Sequence, residues 1–172
     1  MPPEDCAADI FLPGGKVRPE VLAPTTLTVL KESLRLARET KWESVRSPHL
    51  FMGLIADPDP CIRAWGERVQ ADLPCLLRQF QDLFHQEDGE EDGVLALNRE
   101  FLSDNVIRFL RDAHCRASEH SRDRITPMDL LVSMLTSPRS IIAECFERMG
   151  VTAAKLTEQA VLAELAVTRG VQ

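Results

Sequence analysis

Val45-Arg46-Ser47-Pro48-His49-Leu50-Phe51-Met52-Gly53-Leu54-Ile55-Ala56-Asp57-Pro58 decides the fold, because the chain writes it twice. The second copy is Ile125-Thr126-Pro127-Met128-Asp129-Leu130-Leu131-Val132-Ser133-Met134-Leu135-Thr136-Ser137-Pro138, 80 residues further on. With that offset held, the match runs outward without a gap. Leu22 meets Leu102, Leu30 meets Leu110, Ala37 meets Ala117 and Glu39 meets Glu119. On the other side Ile62 meets Ile142, Glu67-Arg68 meets Glu147-Arg148 and Leu76 meets Leu156. One ungapped register of this length is what a duplicated structural unit leaves behind.

Each copy of the stretch reads as a helix. Ser47-Pro48 offers an N-cap and a proline at the first helical position, where its missing N–H costs nothing, and Thr126-Pro127 repeats the device. The residues that follow, Leu50, Phe51, Met52, Leu54 and Ile55 and then Leu130, Leu131, Met134 and Leu135, leave almost no polar face. Such a helix must be covered on nearly every side, so the two are expected to be the pillars of the core. Asp57-Pro58-Asp59-Pro60 and Pro138 stop them, since proline disfavours the helical conformation in the residue before it.

The flanks repeat as well. An amphipathic helix over 24–41 carries Leu27, Leu30, Leu34 and Ala37 on one face, and its counterpart, capped by Ser103, carries Val106, Phe109, Leu110, Ala113 and Ala117. A short helix (61–69, and from Ser140 to Gly150) and a longer one (from Asp72, and from Thr152 to about 167) complete each unit. The expectation is an all-α fold of eight helices, two pseudo-symmetric four-helix repeats packed into one globular domain. Its parts are an irregular arm (1–20), a first repeat (21–84), an acidic linker (85–98) and a second repeat (99–168). Within the arm, Asp9-Ile10-Phe11-Leu12 is expected to dock on the core. Gly14-Gly15-Lys16 lacks the earlier glycine and the following hydroxyl of a phosphate loop, so it reads as a turn. The stretch from His85 to Gly93 lacks the alternation of a calcium loop and reads as a solvated connection, after which Val94-Leu95-Ala96-Leu97 packs back.

Bulk properties exclude several functions. A composition of 44% hydrophobic and 27% charged residues is that of an ordinary soluble globular protein. A net charge of −7 and a pI of about 5.1 argue against a general nucleic-acid binder. No stretch approaches the roughly 18 apolar residues of a membrane span, and the acidic N-terminus is not a secretory signal. Cys6, Cys61, Cys75, Cys115 and Cys145 are odd in number and form no C-x-x-C, which suits reduced thiols in the cytoplasm. His114 and Cys115 would point about 100° apart on a helix. No H-E-x-x-H, G-x-S-x-G or zinc-type cysteine spacing occurs. No catalytic residue, cofactor or metal is expected, and His49 reads as a packing or hydrogen-bonding residue of the core.

With Val45, His49-Leu50 and Leu54-Ile55 in one copy and Ile125, Leu130 and Met134-Leu135 in the other, residues 22–166 resemble the double Clp N-terminal repeat. This is the all-helical domain at the front of the ClpA, ClpB, ClpC and ClpV unfoldases. The resemblance implies a module without chemistry that docks unfolded substrates, adaptors or amphipathic helices for an AAA+ ring. The ring's G-x-x-x-x-G-K-[ST] is missing from this sequence. A protein partner is implied, no nucleic acid or membrane, with a monomer favoured. The alternative is a free-standing regulatory or scaffold protein of the same fold. One branch of the family reads phosphoarginine through a glutamate before the motif histidine and a threonine near the start of each first helix. Here those positions hold Pro48 and Met128, and Ala23 and Ser103. Neither proline nor methionine can pair with a guanidinium. The resemblance thus points to a more apolar protein-binding groove at Ala23, Pro48, Ser103 and Met128, with Pro48 and Met128 read equally well as plain first-turn residues.

Overall fold

A computed structural model describes residues 10–87, 96–138 and 140–168; Asp9, Val94, Leu95 and most of the acidic linker lie outside them. The described residues form eight α-helices: α1 (Pro24–Glu39), α2 (Ser47–Ala56), α3 (Pro60–Arg68), α4 (Leu73–Phe84), α5 (Asp104–Glu119), α6 (Pro127–Thr136), α7 (Ile141–Glu147) and α8 (Ala153–Thr168). Short 3-10 turns, Pro19–Val21 and Arg99–Phe101, precede α1 and α5. Among the described residues there is no β-strand, only isolated bridges.

The duplication is close enough to show in the backbone. The first helix of each half closes on a left-handed residue, Lys41 (φ 68°) and Ser121 (φ 60°). The third does so on Gln70 (φ 59°) and Gly150 (φ 92°). Only the last is a glycine, so three positions adopt a conformation that L side chains resist, because the helix ends there need it.

The halves are joined crosswise. Leu22 bridges to Ile125, and Leu102, its counterpart, bridges to Val45. Ile125 N–H donates to Val21 O (2.7 Å) and Ala23 N–H to Ile125 O (3.0 Å). The same two bonds recur as Val45 N–H to Phe101 O (2.8 Å) and Ser103 N–H to Val45 O (2.9 Å). Each half thus satisfies the segment leading into the other's pillar, a reciprocal exchange with pseudo-twofold character.

Leu50 and Leu130 are both 0% exposed, as are Phe51, Met52, Leu131 and Met134. The α1–α2 crossing is close. A Cβ on Gly53 would stand 2.4 Å from Ser33 Oγ and 2.6 Å from the Val29 carbonyl oxygen, so only glycine fits there. Ile10, Phe11 and Val17 of the arm are buried in the same core, and the turn between them closes at Gly15, whose N–H donates to Leu12 O (2.8 Å).

Two features depart from the sequence reading. Helix α2 begins at Ser47, so Arg46 takes the cap position. His49, the third helical residue, reaches back so that its Nδ1 accepts the Arg46 N–H (3.0 Å), the reciprocal half of a capping box. The other is a break in symmetry. Helix α8 lies across α3 of the first half, with Trp65 Nε1–H donating to Leu156 O (3.1 Å) and Arg68 Nε–H to Gln159 Oε1 (2.9 Å). Its buried Ala160 and Ala163 let the helices approach. The corresponding residues of α4 are Phe80 and Leu83. Phe80 turns inward onto Phe51 (5.1 Å between rings), and Leu83 stays 65% exposed.

Candidate functional site

The crossed lead-in segments create two pseudo-equivalent clefts. The first, about 200 Å³, lies between the start of α1 (Thr25, Thr28, Val29), the turn Asp57–Pro60 and Pro127. The second, about 540 Å³, lies between Asn105, Arg108, Phe109 and Asp112 of α5, the end of α6 with Ser137-Pro138, Ser140-Ile141, and Ser47. The counterpart of Pro127 is Ser47 and that of Thr28 is Arg108, so one plan has two chemistries. The first cleft is walled by prolines and two aspartates. The second is lined by hydroxyls around one arginine. Arg108 Nη2 donates to Asn105 Oδ1 (2.9 Å) and Ser137 Oγ (3.4 Å), and its guanidinium lies 5.7 Å from the Phe109 ring centre.

The four residues singled out in the sequence meet in pairs across this crossing. Ala23 is joined to Ile125, at the start of α6 where Met128 lies, and Ser103 is joined to Val45, at the start of α2 where Pro48 lies. Ser103 Oγ also accepts the Val106 N–H (3.2 Å) and caps α5, whereas Ala23 leaves α1 without a side-chain cap. Met128 is 1% exposed and Pro48 is buried, so both are packed first-turn residues beneath the surface, and neither presents an apolar wall to a partner. Their neighbours Pro127 and Ser47 reach the clefts instead. Ser47 and Arg108 were missed in the sequence because only the crosswise pairing, absent from any linear pattern, brings them together. Ser47 is 8% exposed, and its hydroxyl has no hydrogen-bond partner among the described residues.

Behind each cleft a buried polar residue at the third position of the pillar holds the lead-in segment. In the first half it is His49, 0% exposed. Its Nδ1 accepts from Arg46 N–H, so the ring proton sits on Nε2 and donates to Thr40 Oγ1 (3.1 Å), whose hydroxyl donates to Leu36 O (2.8 Å). Burial, and then the Arg46 charge, push its pKa down to about 4, so the ring is neutral. Trp42 packs edge-on against it (5.4 Å), donates Nε1–H to the Phe84 carbonyl, and lies under the Arg46 guanidinium (5.0 Å).

In the second half the same place is taken by Asp129, also 0% exposed. It forms a reciprocal capping box with Thr126 (Thr126 N–H to Oδ2, 2.9 Å) and accepts from Arg116 (2.7 Å) and Arg122 (2.9 Å). Glu164 of α8 closes the network on Arg116 (3.0 Å). Burial alone would raise the Asp129 pKa, but the hydrogen bonds from Arg122, the Thr126 backbone and Arg116 outweigh it and hold the carboxyl below its usual range. Burial, followed by Asp59 and Glu164, drives the nearby Cys61 thiol up to about 11, away from thiolate chemistry. Among the described residues no group of three or more His, Cys, Asp or Glu side chains could hold a metal ion, and no helix is long and apolar enough to cross a membrane.

Residues 101–172 match the family model of the Clp repeat (R) N-terminal domain. The fold is that of a Clp N-domain. The N-terminal domain of the ClpD chaperone from Arabidopsis thaliana aligns over 83% of this chain and 94% of its own, at 18% identity and a TM-score of 0.56. The Hsp104 N-terminal domain from Candida albicans covers 89% of this chain and 94% of its own, at 13% identity and a TM-score of 0.67. The N-domain of ClpV from Vibrio cholerae covers 83% and 84%, at 15% identity and a TM-score of 0.61. No curated protein matches the sequence significantly. At such identities the Clp N-domain likeness is one of fold, and the clefts of this chain carry their own chemistry.

Proposed function

We propose that the chain is a non-enzymatic protein-docking module of the Clp N-domain type, which takes up segments of client or adaptor proteins for an AAA+ unfoldase at the two clefts where its halves cross. The observation that carries this reading is Ser47. This serine, 8% exposed as a residue and with no partner for its hydroxyl among the described residues, lines a cleft with Arg108, Phe109 and Ile141. A hydroxyl without a protein partner on a cleft wall can donate to a ligand carbonyl or carboxylate. The cleft therefore suits a polypeptide that brings backbone or acidic acceptors together with an apolar side chain. This is a more polar site than the groove expected from Ala23, Pro48, Ser103 and Met128.

Fluorescence anisotropy with fluorescein-labelled casein, a chain without stable fold, tests the reading. Arg108→Glu and Thr28→Arg alter exposed residues at the two cleft mouths and should leave the melting temperature in place. Binding by the wild type that weakens about tenfold in Arg108→Glu is the expected result. Equal binding by wild type and both variants overturns it. A phosphoarginine peptide should bind no tighter than its unmodified form, since neither Pro48 nor Met128 supplies a carboxylate.

A further inference from the structure

We infer that a separate groove on the first half, between α3 and α4, docks a short segment of another protein that carries two aliphatic side chains followed by acidic ones. The groove, about 530 Å³, is lined by residues apart from those of the clefts, save for Pro58 at its edge, and its reading stands whether or not the clefts bind clients.

Its floor is apolar: Ile55 from the end of α2, and Leu73 and Leu77 from α4, beside Gly66 of α3. Helix α3 approaches Leu73 at Gly66, where a Cβ would stand 3.0 Å from that side chain, and is bonded to α8 through Trp65 and Arg68. In the second half α7 and α8 pack together instead. The positions of Leu73 and Leu77 there hold Ala153 and Thr157, so the apolar floor is particular to the first half.

The rim is polarised. Helices α3 and α4 are joined by the 69–72 turn, which is closed by Ala71 N–H donating to Gly66 O (2.8 Å). Glu67 and Asp72 flank that turn, whereas Arg63 lies about one helical turn and Arg78 about two turns away from it, and all four line the groove. Asp72 already accepts the Cys75 N–H (3.1 Å). Arg63 donates to the Pro58 carbonyl (3.1 Å), and neither it nor Arg78 has a carboxylate within salt-bridge distance among the described residues. Their counterparts in the second half are Ala143 and Glu158. Arg63 shares its charge with Asp59, but neither it nor Arg78 is within salt-bridge distance of a carboxylate among the described residues, so the arginines favour carboxylates from a ligand while the acids by the turn favour an amine. A polypeptide with both charges meets both pairs; a fatty acid meets only one.

The probe is a fluorescein-labelled, N-acetylated, C-amidated peptide of the order Lys-Ala-Leu-Ala-Ala-Leu-Glu-Glu, titrated into the full chain. Saturable binding should weaken about tenfold in the R63E/R78E double variant, and return there for a peptide ending in Lys-Lys. Both positions are exposed, so the double variant should melt with the wild type. Arg108→Glu, which tests the clefts, should leave this binding intact. Absence of saturable binding, equal affinity of the two peptides for the wild type, or competition by dodecanoate with no preference between peptides would overturn the inference.

Discussion

His49 and Asp129 occupy the same place in two copies of one motif, and each holds the backbone that leads into its own pillar. Around His49 the remaining valences are met by neutral groups: Thr40, Trp42 and the Phe84 carbonyl. Around Asp129 the counterparts of Trp42 and Phe84 are Arg122 and Glu164, and that of Leu36 is Arg116. A buried polar residue requires satisfaction but not a particular chemistry. Once duplicated, the halves could satisfy it by different means, one aromatic and neutral, the other ionic.

That contrast breaks most sharply if one hub is removed. Asp129→Ala should cost about 3 kcal/mol in urea denaturation, because Arg116 and Arg122 lose their buried carboxylate and keep only Glu164, and Thr126 loses its capping partner. His49→Ala should cost less, since it strands only neutral groups. Equal losses would mean that the ionic network does no more than the neutral one. Next in size, Leu50→Ala and Leu130→Ala should each cost about 2–5 kcal/mol and resemble each other, since both pillars are fully buried. A shift of a degree or two in melting temperature would contradict the pillar assignment.

Acid should separate the halves. His49 titrates near 6.5 when unfolded and about 4 when folded, so its stabilisation is present above pH 6.5 and is lost as pH falls toward 4. The loss is about 3 kcal/mol, and His49→Gln should flatten it. Asp129 has a depressed folded pKa, so its contribution persists to lower pH and disappears only as pH falls below the ordinary carboxylate value. Urea midpoints measured across this range decide it. If His49→Gln leaves the slope between pH 6.5 and 4 unchanged, the histidine is not the titrating group.

The smallest effect concerns the caps. Ala23 (φ −65°, ψ 153°) and Ser103 (φ −68°, ψ 161°) share one backbone geometry, but only the serine caps its helix. Ser103→Ala should cost about 1 kcal/mol and Ala23→Ser return up to that amount, read from thermal melts. A destabilising Ala23→Ser would show that the starts of α1 and α5 are less alike than their dihedral angles.

Much of this was legible in the chain. The constant offset between Leu50 and Leu130 located the repeats, and hydrophobic content without a polar face marked both pillars for burial. Thr126-Pro127 marked the start of α6 correctly. Ser47-Pro48 misplaced the start of α2 by one residue, because His49 pairs with the N–H of Arg46, three residues before it, and fixes that residue as the cap. The candidate site was harder. Pattern singled out Ala23, Pro48, Ser103 and Met128, which lie near the crossing of the two halves, but could not say which side chains turn inward. Methionine and proline in a first turn are compatible with either face until the opposite half is docked.

By itself, the sequence determined the helices and their duplication, since 3.6-residue periodicity, proline stops and capping residues act over a single turn and need no distant partner. Only the tertiary structure decided that the segment leading into each pillar is bonded to the other half, that α3 and α8 meet over Ala160 and Ala163, and that Arg63 and Arg78 line one groove. Those outcomes depend on how closely helices far apart in the chain can approach, which is set by side-chain volume at the contact and leaves no periodic trace.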